Sequence, residues 1–105
     1  MKKVLIVEDD DFLNKMLSCN LAADGYKITS VLNVRTATEA LRLQEFDLVI
    51  LDINLPDGNG YELCKLIKLQ YPDTIVIFLT ANDQESDQIR VYWSSFFVTL
   101  CSINI

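Results

Sequence analysis

Four side chains of this chain could do chemistry together, and each stands at the end of a short apolar run: Glu8, Asp9, Asp52 and Thr80. If the runs are neighbouring parallel strands, about 4.8 Å apart, these side chains converge at one edge of the sheet. Crowded carboxylates repel one another, and one of them would hold its proton unless a cation is bound. An oxygen-rich, incompletely enclosed site favours Mg²⁺. With the cation present, an aspartate can act as nucleophile toward a phosphoryl group, and Thr80 can bond the phosphoryl oxygens.

Taken singly, these residues have simpler explanations. A Glu-Asp pair after a strand is favourable at a helix N-terminus because the helix dipole attracts negative charge. Asp52 would suit a turn, and Thr80 would suit a cap or a strand end. Their joint placement at three strand ends, however, favours a common site.

The elements that would position this site alternate along the chain. Apolar runs predict strands over residues 4–7, 26–32, 47–51 and 74–79. Helical spacing predicts helices over residues 11–22, 34–45 and 61–70, with Gly25 ending the first and Asn33 capping the second. The third should turn Leu63, Leu66 and Ile67 inward. This alternation predicts an α/β fold whose parallel sheet is covered on both faces.

Composition limits the classes of protein. A chain of 105 residues, half of them apolar, forms one domain, and no apolar run reaches the roughly 18 residues of a membrane span. The net charge of −6 argues against direct nucleic-acid binding. The absence of histidine excludes Ser-His and Cys-His catalysis and histidine-ligated zinc. Without a secretion signal, Cys19, Cys64 and Cys101 are interpreted as reduced core thiols of a cytosolic protein.

Three segments carry a family resemblance: VLIVEDDDFL, DLVILDINLPDGNGYEL and IVIFLTAND. Together they resemble the receiver domain of bacterial two-component response regulators, the chemotaxis-protein (CheY-like) fold. The resemblance covers residues 2–90 and implies one receiver domain over residues 1–105. It also implies a flavodoxin-like, doubly wound parallel sheet with strand order 2-1-3-4-5.

The resemblance assigns roles to individual residues. Asp52 would be the phosphoacceptor and Asp9 the direct Mg²⁺ ligand, while Glu8 would act largely through water. Asn54 would lend its backbone carbonyl to the metal, and Thr80 would be the switch hydroxyl.

Residues around these positions would have supporting roles. Asp10 and Asp11 lie outside the family's site and should simply open the first helix. Pro56 would stiffen the loop after the acceptor, and Gly58 should supply a positive φ. Ala81 would leave room for access beside Thr80.

The chain departs from the family after Arg90. The family's lysine at the end of strand five is missing, since no lysine follows Lys68, and Leu100 and Cys101 stand at the lysine and proline positions. Phe97 would replace the switch aromatic, without a hydroxyl.

The tail over residues 91–105 has no charged residue. Residues 95–100 offer a fifth strand, but the usual last helix is missing. We interpret this tail as truncated or altered, for instance by a shifted reading frame. Apolar surface left uncovered would favour self-association as a dimer or by exchange of elements between chains.

Three hypotheses follow. The first is a cytoplasmic, Mg²⁺-dependent switch that takes a phosphoryl group from a histidine kinase or phosphotransfer protein and does not act on a metabolite. The second is an unswitched, receiver-like interaction or dimerisation module. The third, an aspartate-nucleophile phosphatase, is disfavoured because Asn54 stands where that chemistry wants a second acid.

Overall fold

The computed structural model describes residues 2–80, 90–93 and 96–100 of the chain. Its elements, in chain order, are β1 (Lys3–Val7), α1 (Asp11–Ala23), β2 (Lys27–Val31), α2 (Val34–Leu43), β3 (Leu48–Asp52), β4 (Asn54–Leu55), β5 (Gly58–Asn59), α3 (Gly60–Gln70), β6 (Ile75–Thr80), β7 (Arg90–Trp93) and β8 (Phe96–Leu100). The seven elements predicted up to residue 79 are all present, with small shifts at their ends.

The main sheet has the order β2-β1-β3-β6-β8-β7, and its first four strands run parallel. Because β6 is the fourth predicted strand, the order 2-1-3-4 and the flavodoxin-like receiver fold are confirmed. Successive residues of β1 face opposite sides of the sheet. Val4 and Ile6 pack in one apolar cluster with α1, while Leu5 and Val7 pack in another with α2 and α3.

The sheet position beside β6 differs from the prediction of an all-parallel sheet. β8 occupies it but runs antiparallel to β6, and β7 pairs with β8 at the sheet edge. Only two residues separate β7 from β8 in the sequence, and so short a separation permits only an antiparallel pair. Aromatic and β-branched residues dominate both segments, which favours strands. The predicted fifth strand is present but runs antiparallel to β6. The prediction that the last helix is missing, and the prediction for Cys101, lie outside the described residues.

Helix ends follow the predicted signals. Asp10 caps α1, its side chain accepting from the Leu13 backbone N–H at 3.1 Å, and Asp11 lies in the first turn. The Asn33 side chain accepts from the Thr36 N–H at 2.8 Å at the start of α2. Gly25 follows α1 with φ of 97°, a conformation that glycine adopts without strain.

Three predictions about single residues are wrong. Leu66 is 54% exposed because α3 buries Gly60, Leu63, Cys64 and Ile67 as its apolar stripe. Cys19 is exposed on the solvent side of α1, whereas Cys64 is buried as expected. Gly58 is not among the described glycines with positive φ. A side chain is disfavoured there for a different reason, because an added Cβ would come within 2.9 Å of Val34 Cγ2.

None of the helices in the described part of the chain is long and apolar enough to cross a membrane.

Candidate functional site

The strand register brings the acidic residues together. Val7, the last residue of β1, pairs with Leu51 of β3, so Glu8 and Asp52 come next on neighbouring strands. One carboxylate oxygen each from Glu8, Asp9 and Asp52 lies within 4.8 Å of the others. Strand order reverses between β1 and β3, which is where ligands bind in open α/β sheets.

Glu8 is the most deeply placed of these acids, with 4% of its surface exposed. The pKa of Glu8 is raised to about 7, mainly by burial. The neighbouring charges of Asp52 and Asp9 contribute to this rise. The Asp10 backbone N–H, donating to Glu8 Oε2 at 3.0 Å, acts in the opposite direction. Without a cation, burial therefore favours the protonated form of Glu8.

Asp52 is half-buried at the end of β3, and burial also raises its pKa, with the charge of Asp9 contributing. The Asn54 backbone N–H, 3.4 Å from Asp52 Oδ1, lowers it in part. Clustered carboxylates whose charged forms are disfavoured are the donor set that a hard divalent cation stabilises. The residues present thus fit the Mg²⁺ that the sequence predicts.

The other predicted site residues lie around this cluster. Thr80 ends β6, one residue beyond Leu79, the partner of Asp52 in the strand register. Asn54 is exposed two residues after Asp52. Phe97 pairs with Thr80 across the β6–β8 ladder. Ala81 lies outside the described residues.

Leu100 does not fall at the site edge. Because β8 runs antiparallel, Leu100 pairs with Ile77, three residues before the end of β6. The predicted lysine position is therefore at the wrong end of β8 in this structure.

A tight turn returns the chain from Asp52 to α3. The Gly60 backbone N–H donates to the Ile53 carbonyl at 2.7 Å, and Asn54 pairs with Asn59 in the β4–β5 hairpin. A Cβ on Gly60 would overlap the Asp52 carbonyl oxygen. Glycine is thus required for α3 to begin directly against the end of β3.

Asp57 was not predicted as an anchor of this turn. Its two carboxylate oxygens accept from the backbone N–H groups of Val34, at 2.7 Å, and Arg35, at 3.0 Å, at the start of α2. The bond from Val34 is the main reason that the pKa of Asp57 is lowered. The residues are 23 positions apart, so no local sequence pattern indicates this contact.

Asn14 was also missed, although a signal existed. It lies at helical spacing with Leu17 and Leu21 on the buried face of α1. A polar residue on such a face needs buried hydrogen-bond partners. Asn14 finds them in the carbonyls that end β1 and β2.

The fold and the acidic group define a doubly wound α/β domain with a polar site at its topological switch point. The response regulator receiver domain family matches residues 4–97. The chain therefore belongs to that family.

Individual relatives agree with this assignment. The chain is 41% identical over 86 residues to the transcriptional regulatory protein CssR of Bacillus subtilis strain 168, covering 82% of this chain and 38% of that protein. It thus spans about two fifths of that relative's length.

Solved structures are similar as well. The non-phosphorylated HemR receiver domain of Leptospira biflexa has a TM-score of 0.74 at 36% identity, covering 81% of this chain and 68% of that one. The response regulator protein TrrA of Thermotoga maritima, in complex with Mg²⁺ and BeF, has a TM-score of 0.74 at 34% identity, covering 79% and 72%.

Proposed function

We propose that this chain is a Mg²⁺-dependent phosphoacceptor switch of two-component signal transduction, with Asp52 as acceptor. The observation that carries the proposal is the meeting of Glu8, Asp9 and Asp52 oxygens within 4.8 Å at the switch point of a receiver fold. The donor would be a phosphohistidine of a histidine kinase or phosphotransfer protein, in the cytoplasm.

Asp9 and Asp52 would hold the Mg²⁺ directly, with the Asn54 carbonyl, and Glu8 would act largely through water. When bound, the cation neutralises charge on the acids and on the incoming phosphoryl oxygens. Asp52 Oδ attacks phosphorus, an acyl phosphate forms, and the bond from phosphorus to the donor imidazole breaks, with its electron pair going to the imidazole nitrogen. Burial raises the pKa of Asp52, and its carboxylate form, which must attack, would be favoured with a cation bound. That TrrA was solved with Mg²⁺ and BeF supports such a site in a relative.

Thr80 would then bond the new phosphoryl oxygens and draw the end of β6 toward Asp52. Such a shift would change the neighbouring surface around β8 and so bias binding of an output partner.

The missing lysine should weaken this switch. No lysine follows Lys68 in the sequence, and Lys68 itself donates to the Pro72 and Thr74 carbonyls after α3. A preorganised cation of this type is typically worth roughly 3–4 kcal/mol of transition-state stabilisation. We therefore expect slow phosphoryl transfer with metal binding retained.

The test is incubation with Mg²⁺ and acetyl phosphate, followed by intact-mass measurement. We expect the mass of one added phosphoryl group, lost in Asp52→Ala and kept in Asp47→Ala. Asp47 is the matched control because it is an exposed aspartate just before β3, where its carboxylate accepts from the Lys3 backbone N–H at 2.8 Å. An adduct that survives in Asp52→Ala would refute the assignment.

A second candidate is an unswitched interaction module. The absent lysine and the altered sequence after Arg90 motivate it. Exposed apolar side chains on α2 and α3, including Leu43, Leu66 and Leu69, would support self-association. Bound Mg²⁺ without any adduct, together with a concentration-dependent dimer in sedimentation, would favour this alternative.

A further inference from the structure

The side chain of Asn14 is buried beneath the acidic site, 4% exposed, on the second turn of α1. Its Nδ2 donates to the Glu8 carbonyl at 2.9 Å and to the Val31 carbonyl at 3.0 Å. The Glu8 backbone N–H donates to the same Val31 carbonyl at 3.1 Å. One amide group thus joins α1 to the ends of β1 and β2.

This contact fixes the backbone that carries Asp9. The Glu8 carbonyl belongs to the peptide unit that joins Glu8 to Asp9, so Asn14 holds that unit from its oxygen side. On the other side of Asp9, the Asp10 N–H donates to Glu8 Oε2 at 3.0 Å. Asp9 is exposed and therefore gains little orientation from packing. These bonds hold the backbone on both sides of Asp9.

The side-chain amide of Asn14 meets the demands of this position. Its nitrogen supplies two donors for two carbonyl acceptors. The Ser18 hydroxyl, which donates to the Asn14 backbone carbonyl at 2.8 Å, also lies 3.4 Å from Oδ1. The opposite amide orientation would place Oδ1 against both carbonyl oxygens. Aspartate has nearly the same shape but no donor when ionised. A serine would supply one donor, and an alanine none.

We propose that Asn14 is a positioning residue for the divalent-cation site: it orients Asp9 for the metal by holding the Glu8–Asp9 peptide. This inference rests on the proposed metal site. Groups that orient metal ligands typically change metal affinity by about 10–100-fold when they are removed.

The experiment uses Mn²⁺ as the probe, with free ion measured by electron paramagnetic resonance at a temperature where circular dichroism shows each variant folded. Asn14→Ala should bind Mn²⁺ about tenfold more weakly than the unmodified chain. Asn14→Ser, which keeps one donor, should lie between them. Leu21→Ala is the matched control, because it removes a buried side chain from the same helix without touching the acidic cluster. It should lower the thermal midpoint and leave Mn²⁺ affinity unchanged.

The outcomes separate the two claims. Equal Mn²⁺ affinity in Asn14→Ala and the unmodified chain would overturn the role of Asn14 while leaving the metal site intact. A loss in Leu21→Ala as large as in Asn14→Ala would also overturn it, since general destabilisation would then explain both. If Asn14→Ala does not fold, Asn14→Ser decides, and unchanged affinity there contradicts the inference. No Mn²⁺ binding by the unmodified chain would refute the metal site and this inference together.

Discussion

Glu8 directly follows β1 and Asp52 ends the neighbouring parallel strand β3, and their carboxylates meet with oxygens within 4.8 Å of each other and of Asp9. Burial raises the pKa of both, and the charge of Asp52 adds to the shift of Glu8. The fold therefore holds two acids in an arrangement that disfavours their ionised forms, which is costly unless a cation is bound.

The metal-free protein should lose stability between about pH 4.5 and pH 7. The pKa of Glu8 rises from 4.5 to about 7 on folding, so its contribution is fully present below pH 4.5 and is lost as the pH rises through 7. The raised pKa of Asp52 acts in the same direction. Thermal midpoints in EDTA should therefore fall across this window, and Mg²⁺ should reverse much of the fall. Glu8→Gln should flatten the profile; a flat profile in the unmodified chain would contradict the account.

Removing the Asp57 carboxylate should weaken the start of α2. Asp57→Ala leaves the Val34 and Arg35 N–H groups to water, so the thermal midpoint should fall at neutral pH. Because the pKa of Asp57 is lowered, its contribution is present at neutral pH and is lost as the pH falls through that lowered value. The thermal midpoints of Asp57→Ala and of the unmodified chain should therefore converge at acid pH. Asp73→Ala, at an exposed aspartate before β6, is the control and should change little; an equal loss there would count against the capping role.

Gly58→Ala should destabilise the fold by about 1–2 kcal/mol, because the added methyl group meets the stiff Val34 side chain. Val34→Ala removes the atom that would be struck, so the double variant should show a coupling that recovers part of the loss. Denaturant unfolding of the four proteins measures this cycle. If the losses of unfolding free energy from the two substitutions simply add, the close approach of the added methyl group to Val34 is not the cause of the destabilisation.

Gly60→Ala should be more damaging than Gly58→Ala. Its methyl group meets the Asp52 backbone rather than a side chain, so the end of β3 itself must move. We expect a larger loss of unfolding free energy and weaker Mn²⁺ binding in the same variant. Normal Mn²⁺ affinity in a folded Gly60→Ala protein would show that the turn does not position Asp52.

Much of the fold follows from local patterns. Residues 4–7, 47–51 and 74–79 are apolar almost throughout, which is typical of strands covered on both faces, and Asn33 and Gly25 mark helix ends by their own chemistry. The same strand ends predict the acidic cluster, because parallel strands place their carboxyl ends at one edge.

What escaped prediction depends on how the elements pack against one another. Asp57 has the sequence context of a turn residue, and only the structure shows its carboxylate accepting from the start of α2. Leu66 fits a helical apolar pattern, but Cys64 rather than Leu66 belongs to the buried stripe of α3. β8 runs antiparallel to β6, a direction that the residue types of its segment do not encode.

The central claim is that Asp52 is the Mg²⁺-dependent acceptor. The most direct measurement is borohydride reduction after incubation with acetyl phosphate and Mg²⁺, followed by peptide sequencing by mass spectrometry. Reduction converts an aspartyl phosphate into homoserine, so the account predicts homoserine at position 52 alone, and none when EDTA replaces Mg²⁺. Homoserine at another aspartate, or at position 52 without Mg²⁺, would contradict it.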